Sequence, residues 1–363
     1  MRGSLLSLLS LLLTLPALAQ QDPFSHFDTN RNGRIEADEL PAEARPFLGM
    51  VDLDQDGALS REEFDRVAAN LQKWVPQEPE NHATDFQNID YVGNGHTRQT
   101  LDLYLPDQPA EKALPLLVYI HGGGWMSGTK QEGLGVAEIL TATRQYAVAS
   151  INYRLIQDAL WPAQLDDCKA AIRFLRAHAD TYGIDPDRIA VMGSSAGGHL
   201  ATLLGTTSGE KSQEGAIGAF PTTSSKVKAV VDFFGPSNFE TFYGEDVDFL
   251  EASRSSLAVR LLGTSDEEIL RNARRASPTT WISPQDPPVF IAHGTRDTIV
   301  PFAQSAELET KLKAAGIEAH LIAIEGAGHG FASPELNRRV KAFLDRHLRG
   351  QSQPISTEPI PAR

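Results

Sequence analysis

The stretch that most constrains the fold is Arg188-Ile189-Ala190-Val191-Met192-Gly193-Ser194-Ser195-Ala196-Gly197-Gly198-His199. A short apolar run stops at a glycine, turns through small residues and continues into a helix-competent segment, Ala196 to Leu204. This is the sequence form of a strand, a sharp elbow and a helix, with G-x-S-x-G spelled by Gly193, Ser195 and Gly197. A nucleophile at the tip of so tight a turn sits in strained backbone. The positions two before and two after it must be small, or strand and helix could not approach there. The motif alone is common in glycine-rich turns. Its weight depends on whether the rest of the chain supplies a base, an acid and donors for an oxyanion.

Three stretches supply them. His121-Gly122-Gly123-Gly124-Trp125 directly follows an apolar run, Leu116–Ile120. Its glycines leave backbone N–H groups free to face a cleft, so Gly122 and Gly123, with the N–H of Ala196, are candidate oxyanion donors. Asp297, in His293-Gly294-Thr295-Arg296-Asp297, follows the apolar run Val289–Ala292 and is the candidate acid, with Asp232 as its rival. His329, in Gly326-Ala327-Gly328-His329-Gly330-Phe331, follows the last apolar run and is the candidate base. His121, His199 and His293 compete with it, each at a position where packing or loop bracing is the commoner role.

From residue 89 onward, strand and helix patterns alternate. Ile89–Val92 and Thr100–Leu105 read as a hairpin, followed by strands at Leu116–Ile120, Ala147–Asn152, Ile189–Met192, Ala229–Phe234, Val289–Ala292 and His320–Ile324. Helices fall at 131–145, 163–179, 196–204, 301–315 and 335–348. Such alternation specifies a mainly parallel sheet covered on both faces. The unpatterned stretches 206–227 and 240–281 are candidate pocket walls or a small lid. Residues 350–363, with three prolines and no periodicity, read as a disordered tail.

The first quarter of the chain differs. Arg2, the apolar Leu5–Leu15 and Ala17-Leu18-Ala19 before Gln20 have the form of a secretory signal over residues 1–19, so the mature protein is expected to be secreted or periplasmic. The net charge of −14 argues against a nucleic-acid partner, and no stretch is long enough for a membrane span. More than half of that charge lies in residues 22–80, where two windows explain it. Asp28, Asn30, Asn32, Arg34, Glu36 and Glu39 occupy positions 1, 3, 5, 7, 9 and 12 of one loop. Asp52, Asp54, Asp56, Ala58, Ser60 and Glu63 occupy the same positions of a second. With glycine at position 6 and a carbonyl from Arg34 or Ala58 at position 7, this is the oxygen-donor pattern of a calcium loop. Ile35 and Leu59, at position 8, are placed to join the loops through a short β-bridge. Residues 22–71 thus resemble a small all-α EF-hand pair holding structural Ca2+, with 72–88 as a linker. Only Leu40 to Val51 separates the loops, and Pro41 and Pro46 interrupt that segment. Cys168 is the sole cysteine, so no intrachain disulfide forms.

Residues 89–349 resemble the α/β-hydrolase fold, and are most similar to esterases of the hormone-sensitive-lipase group and the related feruloyl and acetyl-xylan esterase-like proteins. The resemblance rests on the motifs around Gly122, Ser195, Asp297 and His329, on Asn152-Tyr153-Arg154-Leu155 and on Trp161–Cys168. It implies a Ser195–His329–Asp297 triad, needing no metal, that hydrolyses short-chain acyl esters of small molecules or polysaccharides. A peptidase or amidase on the same fold is the alternative, and a non-catalytic calcium-dependent binding protein a more distant one. The chain lacks the long N-terminal cap of the lipase-like group and reads Leu155-Ile156-Gln157-Asp158 where that group has Leu-Ala-Pro-Glu. Acyl length, alcohol and oligomeric state are not encoded in these motifs.

Overall fold

The computed structural model describes residues 22–40, 48, 52, 56–65, 86–107, 110, 112–242, 244, 250 and 257–362. The chain divides into two compact units, Met1–His82 and Ala83–Arg363. The expected signal segment, the residues between the calcium loops except Leu40 and Leu48, most of the linker, Asp54 and Arg363 lie outside the described residues.

In the first unit, α1 (Pro23–Phe27) leads into the first loop, and β1 (Arg34–Glu36) pairs antiparallel with β2 (Ala58–Ser60). Ile35 stands opposite Leu59, the bridge expected from position 8 of each loop. Both side chains are buried, together with Phe24, Phe27 and Phe64, and the Phe24 and Phe64 rings meet edge to face at 5.4 Å. Residues 61–65 are helical.

The second unit is built on a nine-stranded sheet. Its strands are β3 (Phe86–Asp90), β4 (Thr100–Tyr104), β5 (Leu114–Ile120), β6 (Ala147–Ile151), β7 (Ile184–Ser194), β8 (Ala229–Phe233), β9 (Val289–Gly294), β10 (Ala319–Glu325) and β11 (Ile360–Pro361). They lie in the order β11-β10-β9-β8-β7-β5-β6-β4-β3. All neighbours from β6 to β11 are parallel, and β4 alone runs against the rest, antiparallel to both β3 and β6. This is the α/β-hydrolase architecture.

All seven residues of β5 are buried, because a parallel strand at the centre of a covered sheet has no wet face. Leu116, Val118 and Ile120 enter one core, while Leu117 and Tyr119 enter the other. The first core is closed by α3 (Ala163–Ala177), α5 (Ala196–Thr206) and α8 (Phe302–Ala314), through Leu165, Leu200, Leu203, Leu308 and Leu312. The second is closed by α2 (Leu134–Thr141) and α9 (Pro334–Arg349), through Leu140, Leu336, Val340 and Phe343. The remaining helices are α4 (Ala179–Tyr182), α6 (Leu257–Leu262) and α7 (Asp266–Ala276). The chain passes to opposite sides of β5 when it leaves for β6 and returns for β7. A crevice therefore opens beyond the C-terminal ends of β5 and β7, the usual place for a site in such a sheet.

The C-terminal residues are not the disordered tail that their prolines suggest. Gly350, at φ +68°, ends α9, and Ile360–Pro361 then pairs in parallel with Ile324–Glu325. Ala362 N–H donates to the Glu325 carbonyl at 2.9 Å, and Ile360 is buried in the second core. Proline lacks a donor, which bars it from inner strands but suits a sheet edge, so Pro361 is compatible with this ending. Replacing Ile360 by Ala should cost about 2 kcal/mol of unfolding free energy. A denaturation midpoint unchanged from wild type would show that the tail is not seated.

Candidate active site

Ser195 sits between β7 and α5 with φ +54° and ψ −121°, a conformation that side chains rarely adopt. The sequence makes it attainable by removing every Cβ that would block it. A Cβ on Gly193 would lie 2.2 Å from the Gly197 carbonyl oxygen, and one on Gly197 would lie 2.1 Å from that of Ile120. The turn is fixed by two backbone bonds, Ser195 N–H to the Phe233 carbonyl at 2.8 Å and His199 N–H to the Ser195 carbonyl at 2.9 Å.

The structure brings together the three side chains singled out from distant parts of the sequence. His329 Nε2 lies 2.8 Å from Ser195 Oγ, and His329 Nδ1 lies 2.7 Å from Asp297 Oδ2. Asp297 Oδ1 accepts the N–H groups of Ile299 (2.8 Å) and Val300 (3.0 Å). Burial alone would raise the Asp297 pKa, but the His293 and His329 hydrogen bonds, the His329 charge and the loop amide outweigh it and hold the carboxyl well below its usual range. Burial of His329 lowers its pKa below 6.5, an effect that Asp297 only partly opposes. The imidazole is therefore neutral at pH 7, as a proton acceptor must be.

The rival groups are committed elsewhere. Asp232 is fully buried at the end of β8, and its Oδ1 accepts Gly235 N–H at 2.9 Å. His199 Nε2 donates to the Ala276 carbonyl at 2.7 Å, and its Nδ1 accepts from Trp125 Nε1 at 3.3 Å. His121 Nδ1 donates to the Gly122 carbonyl at 2.8 Å, and its Nε2 accepts from Arg98 at 3.0 Å. Burial drives the pKa of His199 down to about 4, and burial with the Arg98 charge takes His121 to about 3, so both stay neutral and structural. His293 holds Ser305 Oγ and the Val300 carbonyl, and its Nε2 also lies 3.2 Å from Asp297 Oδ2, so it braces the acid loop.

Gly122 lies against the elbow, where a Cβ would come within 2.9 Å of the Ser194 carbonyl oxygen and 3.5 Å of Ser195 Cβ. Gly123 has φ +97° and is the pivot of the turn. Burial pushes the Glu132 carboxyl up to about 7, against the opposing pull of the Thr129 and Gly122 amides. Tyr153 hydroxyl donates to the His121 and Gly122 carbonyls at 3.0 and 3.3 Å, and its ring stacks on His121 at 4.2 Å. Tyr153 is one of the groups that hold the glycine loop. It was visible in the sequence only as part of a matching motif, with no signal of its role. The second such group is Phe234, whose ring meets that of His329 at 4.7 Å and that of Phe331 at 5.2 Å.

Comparison with known proteins agrees with the fold. Residues 101–312 match the BD-FAE family model. The chain belongs to the BD-FAE family. It is 32% identical over 239 residues to the esterase LipC of Mycobacterium tuberculosis, covering 64% of this chain and 57% of that one. The chain spans little more than half the length of the first curated relatives it matches. Among solved structures, a truncated carbohydrate esterase from gut microbiota is 32% identical, with a TM-score of 0.67 over 73% of this chain and 96% of that one. A thermophilic esterase of Thermogutta terrifontis with butyrate bound is 26% identical, with a TM-score of 0.61 over 73% of this chain and 96% of that one. Residues 21–40 and 45–68 match the EF hand.

The two EF-hand loops are wired alike. Asp28 accepts the N–H groups of Asn32 and Gly33, and Asp52 those of Asp56 and Gly57, at 2.8 to 3.1 Å. Glu39 accepts Glu36 N–H at 3.0 Å, and Glu63 accepts Ser60 N–H at 2.9 Å. Every side-chain donor at the ligand positions is oxygen, which fits a hard cation. Among the described residues, which omit Asp54, no three His, Cys, Asp or Glu side chains form a metal-binding group. In the first loop the carboxylates instead answer loop amides, and Glu36 accepts Asn30 and Asn32 side-chain amides at 3.0 and 3.1 Å.

Replacing Gly197 by Ala should cost about 3 kcal/mol or prevent folding, since the added Cβ meets fixed backbone. A Gly197→Ala protein melting as wild type does would mean that the elbow is looser than this.

Proposed function

We propose that the protein is a secreted serine carboxylesterase acting on short-chain acyl esters. The observation that carries the reading is the unbroken hydrogen-bonded line from Ser195 through His329 to Asp297 at a strained elbow. His329 Nε2 takes the Ser195 proton as Oγ attacks the ester carbonyl, while Asp297 holds Nδ1–H and stabilises the imidazolium. The oxyanion rests on the N–H groups of Gly122, Gly123 and Ala196. His329 then returns the proton to the departing alcohol, and a water molecule repeats the sequence on the acyl-enzyme. Acetyl or feruloyl groups on polysaccharides are the favoured substrates, supported by the likeness to the gut carbohydrate esterase and by the signal-like residues 1–19.

The EF-hand pair would hold Ca2+ through Asp28, Asn30, Asn32, Glu36 and Glu39 with the Arg34 carbonyl. The second ion would take Asp52, Asp54, Asp56, Ser60 and Glu63 with the Ala58 carbonyl. Bound calcium would supply positive charge that offsets the carboxylates of each loop, and the ester chemistry would draw on none of it.

Ser195→Ala should retain its fold and lose at least ~10⁴-fold in turnover of p-nitrophenyl acetate. Wild-type-like turnover would remove Ser195 as nucleophile. Protonated His329 cannot accept the serine proton, and its pKa lies below 6.5. The acid limb of kcat/KM should thus have its midpoint below pH 6.5. A limb rising through pH 7 to 8 would contradict the assignment of the base. Removing calcium with EDTA should lower the melting temperature and leave kcat unchanged, whereas lost turnover at an unchanged melting temperature would place calcium in the chemistry.

A further inference from the structure

Asp232 is fully buried and takes no part in the proton relay, yet two glycines make room for it. A Cβ on Gly198 would lie 2.3 Å from Asp232 Oδ1, and one on Gly235 would lie 2.6 Å from it. In the sheet it stands opposite Gly193 on β7 and Ile291 on β9. The groups facing it are the Thr202 hydroxyl on α5 and His293 on β9, and its Oδ2 has no hydrogen-bond partner. A carboxyl with one buried oxygen unanswered is costly where an apolar side chain could pack. What it supplies in return is the acceptor for Gly235 N–H, 2.9 Å from Oδ1.

That bond closes a turn three residues long with Phe234 at φ +46°, a left-handed conformation unusual for a bulky side chain. The turn has two outputs at the site. The Phe233 carbonyl accepts the N–H of Ser195 at 2.8 Å, and the Phe234 ring meets the His329 ring at 4.7 Å. One side chain thereby touches the setting of both the nucleophile and the base, without contacting either.

We propose that Asp232 is a positioning residue of the esterase site, which through the Phe233–Phe234–Gly235 turn fixes the elbow at Ser195 and keeps the His329 ring dry. The inference rests on the esterase reading. The working property is the acceptor at Oδ1 rather than the charge, so asparagine substitutes for aspartate. Loss of the acceptor releases the turn, loosens the elbow and lets water reach His329.

The test compares Asp232→Asn and Asp232→Ala with wild type on p-nitrophenyl acetate. The conservative variant should keep kcat within about threefold, whereas Asp232→Ala should lose roughly 10–100-fold in kcat at little-changed KM. The acid limb of kcat/KM in Asp232→Ala should also move up towards pH 6.5, because the burial that depresses His329 is partly lost. Wild-type kcat with an unmoved limb in Asp232→Ala, or an Asp232→Asn variant as impaired as the alanine, would overturn the proposal. If Asp232→Ala does not fold, Phe234→Ala reads the same output, and an unmoved limb there overturns it equally. Failure of the wild-type protein to cleave any ester would instead defeat the esterase reading itself.

Discussion

The backbone of Ser195 is the constraint on which the rest of the second unit depends. Holding a non-glycine residue at φ +54° costs on the order of 1–3 kcal/mol, and the surroundings must over-determine it. They do so from three directions. β5 presses the Ile120 carbonyl against Gly197, β8 offers the Phe233 carbonyl to Ser195, and the first turn of α5 returns a bond from His199. At Gly193 and Gly197 the approach leaves no room for a Cβ. The glycines therefore record how near strand, helix and loop must come.

The same closeness explains why the buried histidines divide into one base and three braces. His121, His199 and His293 have both ring nitrogens committed within the protein, chiefly to carbonyls and hydroxyl or indole groups. His329 instead has one nitrogen on Asp297 and the other on a serine hydroxyl, which can give up its proton. Burial lowers the pKa of His121 and His199 as well as His329, so depressed basicity does not single out the base. The chemistry of the second partner does.

Much of this was legible in the residue order, for reasons that differ by element. The parallel strands announce themselves as apolar runs because both their faces are covered, and the elbow because its glycines cannot be anything else. The facing of Ile35 and Leu59 follows from loop positions alone. The choice between Asp232 and Asp297 was less accessible, because both sit at strand ends and differ only in what the loop beyond them brings near. Tyr153 and Phe234 act across contacts that no local pattern encodes. The C-terminal residues misled because proline content signals the absence of a ladder donor, and an edge position does not require one.

That edge has a consequence for assembly. An uncovered parallel strand offers a row of amides to any neighbouring chain, and β10 would be such a strand without the residues that follow α9. Ile360 and Pro361, laid alongside it, cover part of that edge. The pair is too short to invite a further strand, and its proline has no hydrogen to share. A fusion partner joined after residue 361 would therefore begin at the rim of the sheet, beside strand β10.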